Sequence, residues 1–510
     1  MMRHGCCTSE HNSHSNTKIT ELDTSPDSDE NSCQMTIDNS ENILNTLKNL
    51  YYDRQMCDVF ITVGKKEHAA HRLILCASSD VFRAMLMKPE WSEWHESRIV
   101  LQELPQCENV FHLFLEYFYT GKIIITHTNV MAVLALADKY IVKSLTRICV
   151  QYMCKHIAHA ASHNQLFSWL QYTITCGYVA VAKLCQNYIK WNFESVANTP
   201  DFSNFEVDLL CDLLKQSDLI VYNEIVLYNC VVRWLELQQF RLNQLNLPED
   251  DVQEHMQSIV EAVMKCIRFP MMSPCELADL LLSPLLKQYS QILLTRMANA
   301  MLYQKGRMNE LDMFYTSEEG KMLCTPRLYT CDSFNTTLLI ENVPNLPSYT
   351  VSTFVFSTHT SAAEYESDKI SEWVVDLYPK GVCFKKCFLI VWQGTLEVPE
   401  RVKSSVRLSL TCRELKEDIK VRVGILLYGT QGGAEHIMQV IQRIHRFNSE
   451  DRVLVVDDLI PFEELNPQAG DKFSCLMEPD RKFTKSLYLI GSKRDQLKIN
   501  IIITPVVNNF

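Results

Sequence analysis

Around residue 326 the spacing of the apolar residues changes, and one kind of layer cannot accommodate both sides of that change. Between residues 160 and 300 the apolar clusters are helical. They include Leu166-Phe167-Trp169-Leu170, Ala180-Val181-Leu184, Leu209-Leu210-Leu213-Leu214 and Val231-Val232-Trp234-Leu235. A polar segment from Gly306 to Pro326 follows, and after it the period becomes two. Val406, Leu408 and Leu410 alternate with Arg407, Ser409 and Thr411; Val421, Val423, Ile425 and Leu427 repeat the pattern, as do Leu497, Ile499, Ile501 and Ile503. Turn residues separate these runs, which predicts an antiparallel β-sandwich. The first third is mixed. Met56 to Leu86 reads as strand, turn, strand and helix, with Val59, Ile61 and Val63 on one face and Ser78-Ser79-Asp80 offering a helix cap. A chain of 510 residues is long enough for about three domains.

Composition narrows the partners. Net charge is −12, and residues 1–42 supply half of it, with two bases against eight acids. No basic stripe exists elsewhere, so nucleic acid is not an expected partner. No apolar run of about 18 residues is present, so no membrane insertion is expected. The start, MMRHGCCTSEHNSHSN, lacks the apolar core of a secretory signal. Twenty cysteines then read as reduced thiols of a cytoplasmic or nuclear protein. Cys76, Cys149, Cys185 and Cys211 sit among apolar neighbours, where Cys packs as a small hydrophobe. Residues 1–40 have no apolar period and are expected to be a disordered tail, with Ser25-Pro26 and Ser28-Asp29-Glu30 as phosphorylation candidates.

The front third resembles a BTB/POZ domain. The residues that carry the likeness are Asp58-Val59, His71-Arg72 with Leu75, Ser79 with Phe82 and Met85, the strand Ile99-Val100-Leu101, Tyr119-Thr120-Gly121, and Leu136-Ala137-Asp138-Lys139-Tyr140. The likeness covers residues 41–155. Residues 156–305 resemble a BACK domain through Cys185 to Val196, Leu213 to Glu224, Val231 to Leu235 and Ile267-Arg268-Phe269-Pro270; Asp218 to Glu224 reads as a helix-to-helix turn, with Asn223 capping the helix of Trp234. Residues 306–325 read as a linker. In 326–510, Trp373 with Tyr378-Pro379 and Gly381 resembles a motif of TRAF-like (MATH) sandwiches. The expected fold is multidomain: an α/β BTB domain, an all-α BACK domain and an all-β sandwich.

These resemblances imply an adaptor. BTB domains present a hydrophobic-x-Glu triplet to the scaffold cullin-3, and Trp91-Ser92-Glu93 has that form. An exposed tryptophan suits an interface anchor, and the acid beside it fixes orientation; the bland alternative has Trp91 and Trp94 covering their own domain. Phe82, Met85 and Tyr119 are further candidates for that contact, each equally suited to a core. Ile43, Leu44, Leu47, Leu50 and Tyr51 form a helical stripe ahead of the domain, which the resemblance pairs with a second copy. Asp58 and Arg72 match the acid and base of the charged pocket at a BTB dimer interface, expected as a partly buried ion pair. The expected partners are therefore cullin-3, a protein substrate held by the sandwich, and a second copy of the chain. The rival readings are a ligase-independent scaffold, secreted like the galectin-3-binding proteins, and a corepressor adaptor. A Kelch-type propeller is excluded, because 14 glycines with one adjacent pair cannot furnish a blade repeat.

No enzyme is expected and no cofactor. Gly429-Thr430-Gln431-Gly432-Gly433 follows a strand and precedes a stretch, Ala434 to Arg446, that reads as helical. The spacing is wrong for a dinucleotide site, and a tight turn is the better reading. Cys149, Cys154, His156, His159 and His163 match no zinc spacing, and His4, Cys6, Cys7, His11 and His14 lie in the tail. Cys383 and Cys387 share one face of a strand, as packing would place them. No nucleophile elbow appears.

Overall fold

In the computed structural model the described residues are 38–506, apart from 246–247, 308–316, 364–365, 367, 383–389, 392–393, 396–404, 416 and 467–485. They divide into two compact units, Met1–Met153 and Cys154–Phe510. The tail, its serines and its histidine and cysteine cluster, and the Cys383 and Cys387 pair, lie outside the described residues.

The first unit opens with α1 (Ser40–Tyr52), then β1 (Val59–Val63) and β2 (Lys66–Ala70). Helices α2 (Arg72–Ser78) and α3 (Asp80–Met87) lead to β3 (Arg98–Leu101), and α4 (Pro105–Thr120), α5 (Val130–Lys139) and α6 (Lys143–Lys155) complete it. β1 lies between β2 and β3, antiparallel to the first and parallel to the second, with Ile61 opposite His68 and Ile99. Val59, Ile61 and Val63 are buried while Phe60 and Thr62 are half-exposed, the alternation their spacing predicts. Ser79 caps α3 by accepting from the Phe82 N–H, and its own hydroxyl donates to the Tyr140 carbonyl. Phe82 stacks on Tyr140 with ring centroids 4.6 Å apart. Gly121 ends α4 at φ 64°, a left-handed position that glycine occupies without penalty.

The second unit begins with α7 (Ile157–Ser162), α8 (Leu166–Thr175), α9 (Val179–Trp191), α10 (Phe193–Ala197) and α11 (Val207–Lys215). A two-residue strand, β4 (Ile220–Val221), precedes α12 (Glu224–Gln244) and α13 (Glu249–Met264). Then come α14 (Pro274–Leu280), α15 (Pro284–Gln288), α16 (Ser290–Gln304) and α17 (Glu318–Leu323). Asn223 caps α12 by accepting from the Val226 N–H, and Trp234 of that helix is fully buried. Two features depart from the sequence reading. The turn Asp218 to Glu224 contains β4, which pairs in parallel with β5 (Leu328–Tyr329). The segment read as a linker carries α17, whose Gly320 and Leu323 are buried.

The sandwich follows: β6 (Asn335–Ile340), β7 (Ser352–His359), β8 (Ile370–Tyr378), the short ribbon of β9 (Ile390–Val391) and β10 (Gly394–Thr395), then β11 (Arg407–Cys412), β12 (Ile419–Gln431), β13 (Ala434–Phe447), β14 (Val453–Val456), α18 (Phe462–Leu465) and β15 (Leu497–Pro505). One sheet runs β14-β11-β8-β7 and the other β13-β12-β15-β6. Their inner faces meet in one core around Trp373, Val375, Leu408, Val423, Ile425, Ile499 and Ile501. The buried Trp373 ring donates through Nε1 to Thr358 Oγ1 at 2.8 Å, which satisfies its one polar atom.

Ala434 to Arg446 is a strand, not the helix its spacing suggests. Gly432 and Gly433, at φ 61° and 83°, make the two-residue turn that pairs β13 with β12. The register slips between Leu427 and Tyr428, where Met438 is the extra residue, and this bulge breaks the two-residue period. The outer face of the same sheet is covered along β12 and β15. Leu426, Asn500, Ile502 and Thr504 point away from the core yet are buried. Gly424 leaves room there for Leu328, whose methyl carbon would stand 3.0 Å from a Cβ. On β13, Asn192 at the end of α9 pairs with both main-chain groups of Ile437, receiving its N–H at 2.8 Å and donating to its carbonyl at 3.2 Å. One amide side chain thus stands in for a neighbouring strand.

Candidate functional site

The sequence-predicted docking triplet lies where α3 ends. Lys88 leads out of the helix, and Ser92–Trp94 form a single 3-10 turn. Trp91 is 46% exposed and Trp94 41%, and Met87 is exposed beside them. Glu93 is half-buried and accepts a hydrogen bond from the Ser92 hydroxyl at 2.9 Å. Two indoles half in solvent on one short turn offer the large aromatic anchors that interfaces favour, which makes this turn a docking candidate.

Arg72 holds that turn in place. Its guanidinium donates to the carbonyls of Leu86 at 3.2 Å, Glu93 at 3.2 Å and Trp94 at 3.3 Å, and to that of Glu96. It therefore ties the last turn of α3 to the segment carrying both tryptophans. This corrects the expected ion pair. Asp58 does meet Arg72, but Asp58 Oδ1 accepts the Arg72 main-chain N–H at 2.7 Å, while the guanidinium turns to carbonyl oxygens. The carboxylate caps α2, and the base braces the turn.

Two of the other contact candidates belong to the core. Phe82 is buried against Phe118 and Tyr140, and Tyr119 is buried under Tyr51 with its hydroxyl accepting the His71 N–H at 2.9 Å. Burial also pushes the Tyr119 phenol well above its ordinary range. Both side chains are thereby withdrawn from any contact surface. Met85 is half-buried.

The stripe ahead of the domain lies mostly in the open. Ile43 is 59% exposed and Leu44 50%, Leu47, Leu50 and Tyr51 are half-buried, and no α1 side chain is fully buried. The helix rests on α4 at its C-terminal end, through Tyr51 stacked on Tyr119 at 4.6 Å and Tyr52 bonded to Glu116.

The second unit contains a charged joint that sequence reasoning missed. Glu224 is fully buried at the start of α12, and Arg327, just before β5, donates to it from Nε at 3.0 Å. Tyr329 donates to the same carboxylate at 2.7 Å, and the Arg268 main-chain N–H at 2.8 Å. Arg327 also reaches the carbonyls of Leu214 at 2.6 Å, Gln216 at 2.9 Å and Cys266 at 2.9 Å. Arg268 reaches Lys215 O at 3.1 Å, Ser217 Oγ at 3.0 Å and Thr325 O at 2.5 Å. Burial raises the Glu224 carboxyl pKa, but Arg327 and Arg268 outweigh it and leave the group below the usual carboxylate range. Burial, then the like charge of Arg327, weakens the Arg268 guanidinium, which still stays charged at neutral pH. The signal was present in the sequence: a base enclosed by apolar residues in Ile267-Arg268-Phe269, and another between Pro326 and Leu328.

Two of the remaining patterns are structural. Gly429 to Gly433 is strand and hairpin turn. The Cys149 and Cys185 thiols are buried among apolar side chains, which pushes each up to about 12.

Sheet and helix order, the exposed tryptophan turn and the covered sandwich define a three-domain protein of the BTB–BACK class with a TRAF-like third domain, and the comparisons agree. The BTB/POZ domain family matches residues 47–157, the BACK family (BTB And C-terminal Kelch) residues 166–247, and the BTBD17 TRAF domain residues 324–507. Proteins of this class are generally adaptors without catalysis of their own. The chain is similar to BTB/POZ domain-containing protein 17 of Xenopus laevis, 24% identical over 318 residues that make up 61% of each chain. Against the Homo sapiens protein of that name it is 29% identical over 251 residues, 48% of each chain. It is also 30% identical over 249 residues to Kelch repeat and BTB domain-containing protein 8 of Homo sapiens, 48% of this chain and 38% of that one. The match thus spans about half to three fifths of the first of these relatives' own length.

Proposed function

We propose that this chain is a substrate-recruiting adaptor of a cullin-3 ubiquitin ligase, working in the cytoplasm or nucleus. The observation that carries the reading is the pair of half-exposed tryptophans on a turn braced by Arg72, since a preformed apolar anchor is what a docking surface needs. Trp91 and Glu93 make the central contact with cullin-3, and Met85 lies at its edge. A second copy covers Ile43, Leu44, Leu47, Leu50 and Tyr51, giving a homodimer.

The sandwich carries the cargo, an unidentified protein substrate. The β13-β12-β15-β6 sheet is covered on its outer face along β12 and β15, so the outer face of β14-β11-β8-β7 is the more open of the two. There Val355, Val374, Thr411 and Val453 lie in one row across four strands, with Val355 and Val453 exposed. No group of the chain does chemistry in this scheme. Holding an acceptor lysine near a charged ubiquitin carrier raises its effective concentration, and two arms per dimer add avidity.

Pull-down with cullin-3 tests the scheme. Wild-type chain should retain cullin-3, and a Trp91→Ala, Glu93→Ala double variant should lose it while keeping its thermal midpoint. Unchanged retention would remove this turn as the docking site.

A further inference from the structure

Where the BACK helices meet the sandwich, a cleft of about 230 Å³ plays no part in the docking scheme. The corner at which α9 ends and α10 begins lines it with Trp191 and Glu194. β4 lines it from a second side, and the β12–β13 hairpin brings Tyr428, Glu435 and His436. Sites for free small molecules run to about 300–1,000 Å³, so this one suits a single long side chain.

The lining accepts hydrogen bonds and carries excess negative charge. Glu194 is half-buried, with its carboxylate accepting the Tyr222 main-chain N–H, and it makes no ion pair among the described residues. Glu435 stands exposed at the rim, paired with Lys498 at 2.7 Å. No lysine or arginine lines the cleft, so two carboxylates share that one ammonium. His436 adds no charge. Burial lowers its pKa, and its Nδ1 donates to the Ala434 carbonyl at 3.2 Å, which leaves Nε2 as an acceptor. The Asn192 amide, the nearest neutral donor, is spent on Ile437. Burial, then Glu435 and Glu194, push the Tyr428 phenol up to about 12, and its ring already holds the Lys498 ammonium 4.4 Å from its centroid.

We propose that this cleft receives the arginine side chain of a protein partner, held between Glu194 and Glu435 against the rings of Trp191 and Tyr428. A guanidinium offers its donors in a planar fork, which can meet acceptors from α10 and β13 together, and it stacks on aromatic rings with a weaker hydration shell to lose than an ammonium. It also supplies the missing positive charge. Glu194 is the main contact, because Glu435 already has Lys498. A neutral side chain of the same shape would leave Glu194 without a counter-ion, so the cleft selects for charge as well as length. Its residues are separate from the tryptophan turn and from the open sheet. A partner seated here is read by helices and sandwich at once, and neither domain alone presents both acids.

The test uses the full chain and saturation-transfer NMR at neutral pH. The probes are N-acetylarginine methylamide, its lysine analogue, and its citrulline analogue, which keeps the arginine shape without the charge. The arginine probe should bind, with the citrulline probe about tenfold weaker and the lysine probe about threefold weaker. A blocked Gly-Gly-Arg-Gly-Gly peptide should bind at least as well as the single residue. In Glu194→Gln the arginine probe should lose about fivefold in affinity while the thermal midpoint holds, because glutamine keeps an oxygen for the Tyr222 N–H. Glu435→Gln, which releases Lys498, should weaken the same probe and serves as the second variant. Equal binding of the arginine and citrulline probes would overturn the proposal, as would arginine binding unchanged in both variants, or no saturation transfer to that probe at all. A lysine probe as tight as arginine would overturn the choice of guanidinium. A peptide weaker than the single residue would mean that the cleft takes a free small cation and would overturn the choice of a protein partner.

Discussion

Replacing Arg327 by methionine is the sharpest test of the joint. The change keeps an unbranched side chain in the space but removes every donor. Glu224 loses the Nε bond at 3.0 Å and its charge partner, and the carbonyls of Leu214, Gln216 and Cys266 lose theirs. Removing one member of a buried ion pair costs about 3–5 kcal/mol, since the other charge stays out of water. Each orphaned carbonyl adds about 1 kcal/mol unless water enters. That sum is about 6–8 kcal/mol, but Tyr329, the Arg268 N–H and the Arg268 charge still serve Glu224 and water can reach the carbonyls, so we expect a smaller loss, about 4 kcal/mol. With a urea slope of about 3 kcal/mol per molar, the midpoint of the second unit should fall by roughly 1–2 M, read by tryptophan fluorescence. The loss should depend on pH. In the native chain Glu224 is held below its unfolded value, so its contribution is complete above about pH 4.5 and is lost as pH falls through the folded value. In the variant burial dominates and the carboxyl moves up, so acidification from neutral strengthens that chain, and the gap narrows. A Glu224→Gln, Arg327→Met double variant should lose less than the two single losses combined. A loss under 1 kcal/mol, or strictly additive losses, would refute the argument that these charges depend on each other.

Three further outcomes follow from the geometry. Arg72→Ala frees the turn of Trp91 and Trp94 from four carbonyl bonds and should weaken cullin-3 retention in pull-down at least tenfold, the equivalent of about 1.4 kcal/mol; retention equal to wild type would show that the turn holds its shape without the clamp. Ile43→Asp with Leu44→Asp should shift the chain from dimer to monomer in sedimentation velocity while changing the unfolding free energy of the protomer by no more than about 1 kcal/mol, because neither side chain is buried in its own unit. Gly429→Ala places a methyl 2.1 Å from Met438 Sδ and 2.3 Å from the Leu487 carbonyl oxygen and should destabilise the sandwich by about 1–3 kcal/mol in thermal unfolding.

Much of this architecture was legible because local and tertiary preferences agree. Val59, Ile61 and Val63 face the core as their spacing predicts, Ser79 and Asn223 cap the helices they precede, and Val421 to Leu427 enters the sandwich on the expected face. The reading failed where tertiary structure overrides the period. Ile437, Met438, Ile441 and Ile444 fall at helical spacing because the bulge at Met438 shifts the phase of a strand. The family resemblance pairs Arg72 with Asp58 as the acid and base of a charged pocket, and only coordinates show a guanidinium engaged by main-chain carbonyls. Glu224 and Arg327 are 103 residues apart, and no spacing rule links them. Phe82 and Tyr119 could be core or contact on sequence alone; neighbouring rings decide it.

The sealed outer face of the β12 and β15 sheet has a practical consequence for anyone seeking the cargo. A fragment cut near residue 324 to isolate the last domain would strip the cover from Leu426 and Ile502 and break the hold of Glu224 on Arg327. Such bait would be sticky for reasons unrelated to recognition. Fishing with everything from residue 154 onward keeps that surface dressed while the other sheet stays open.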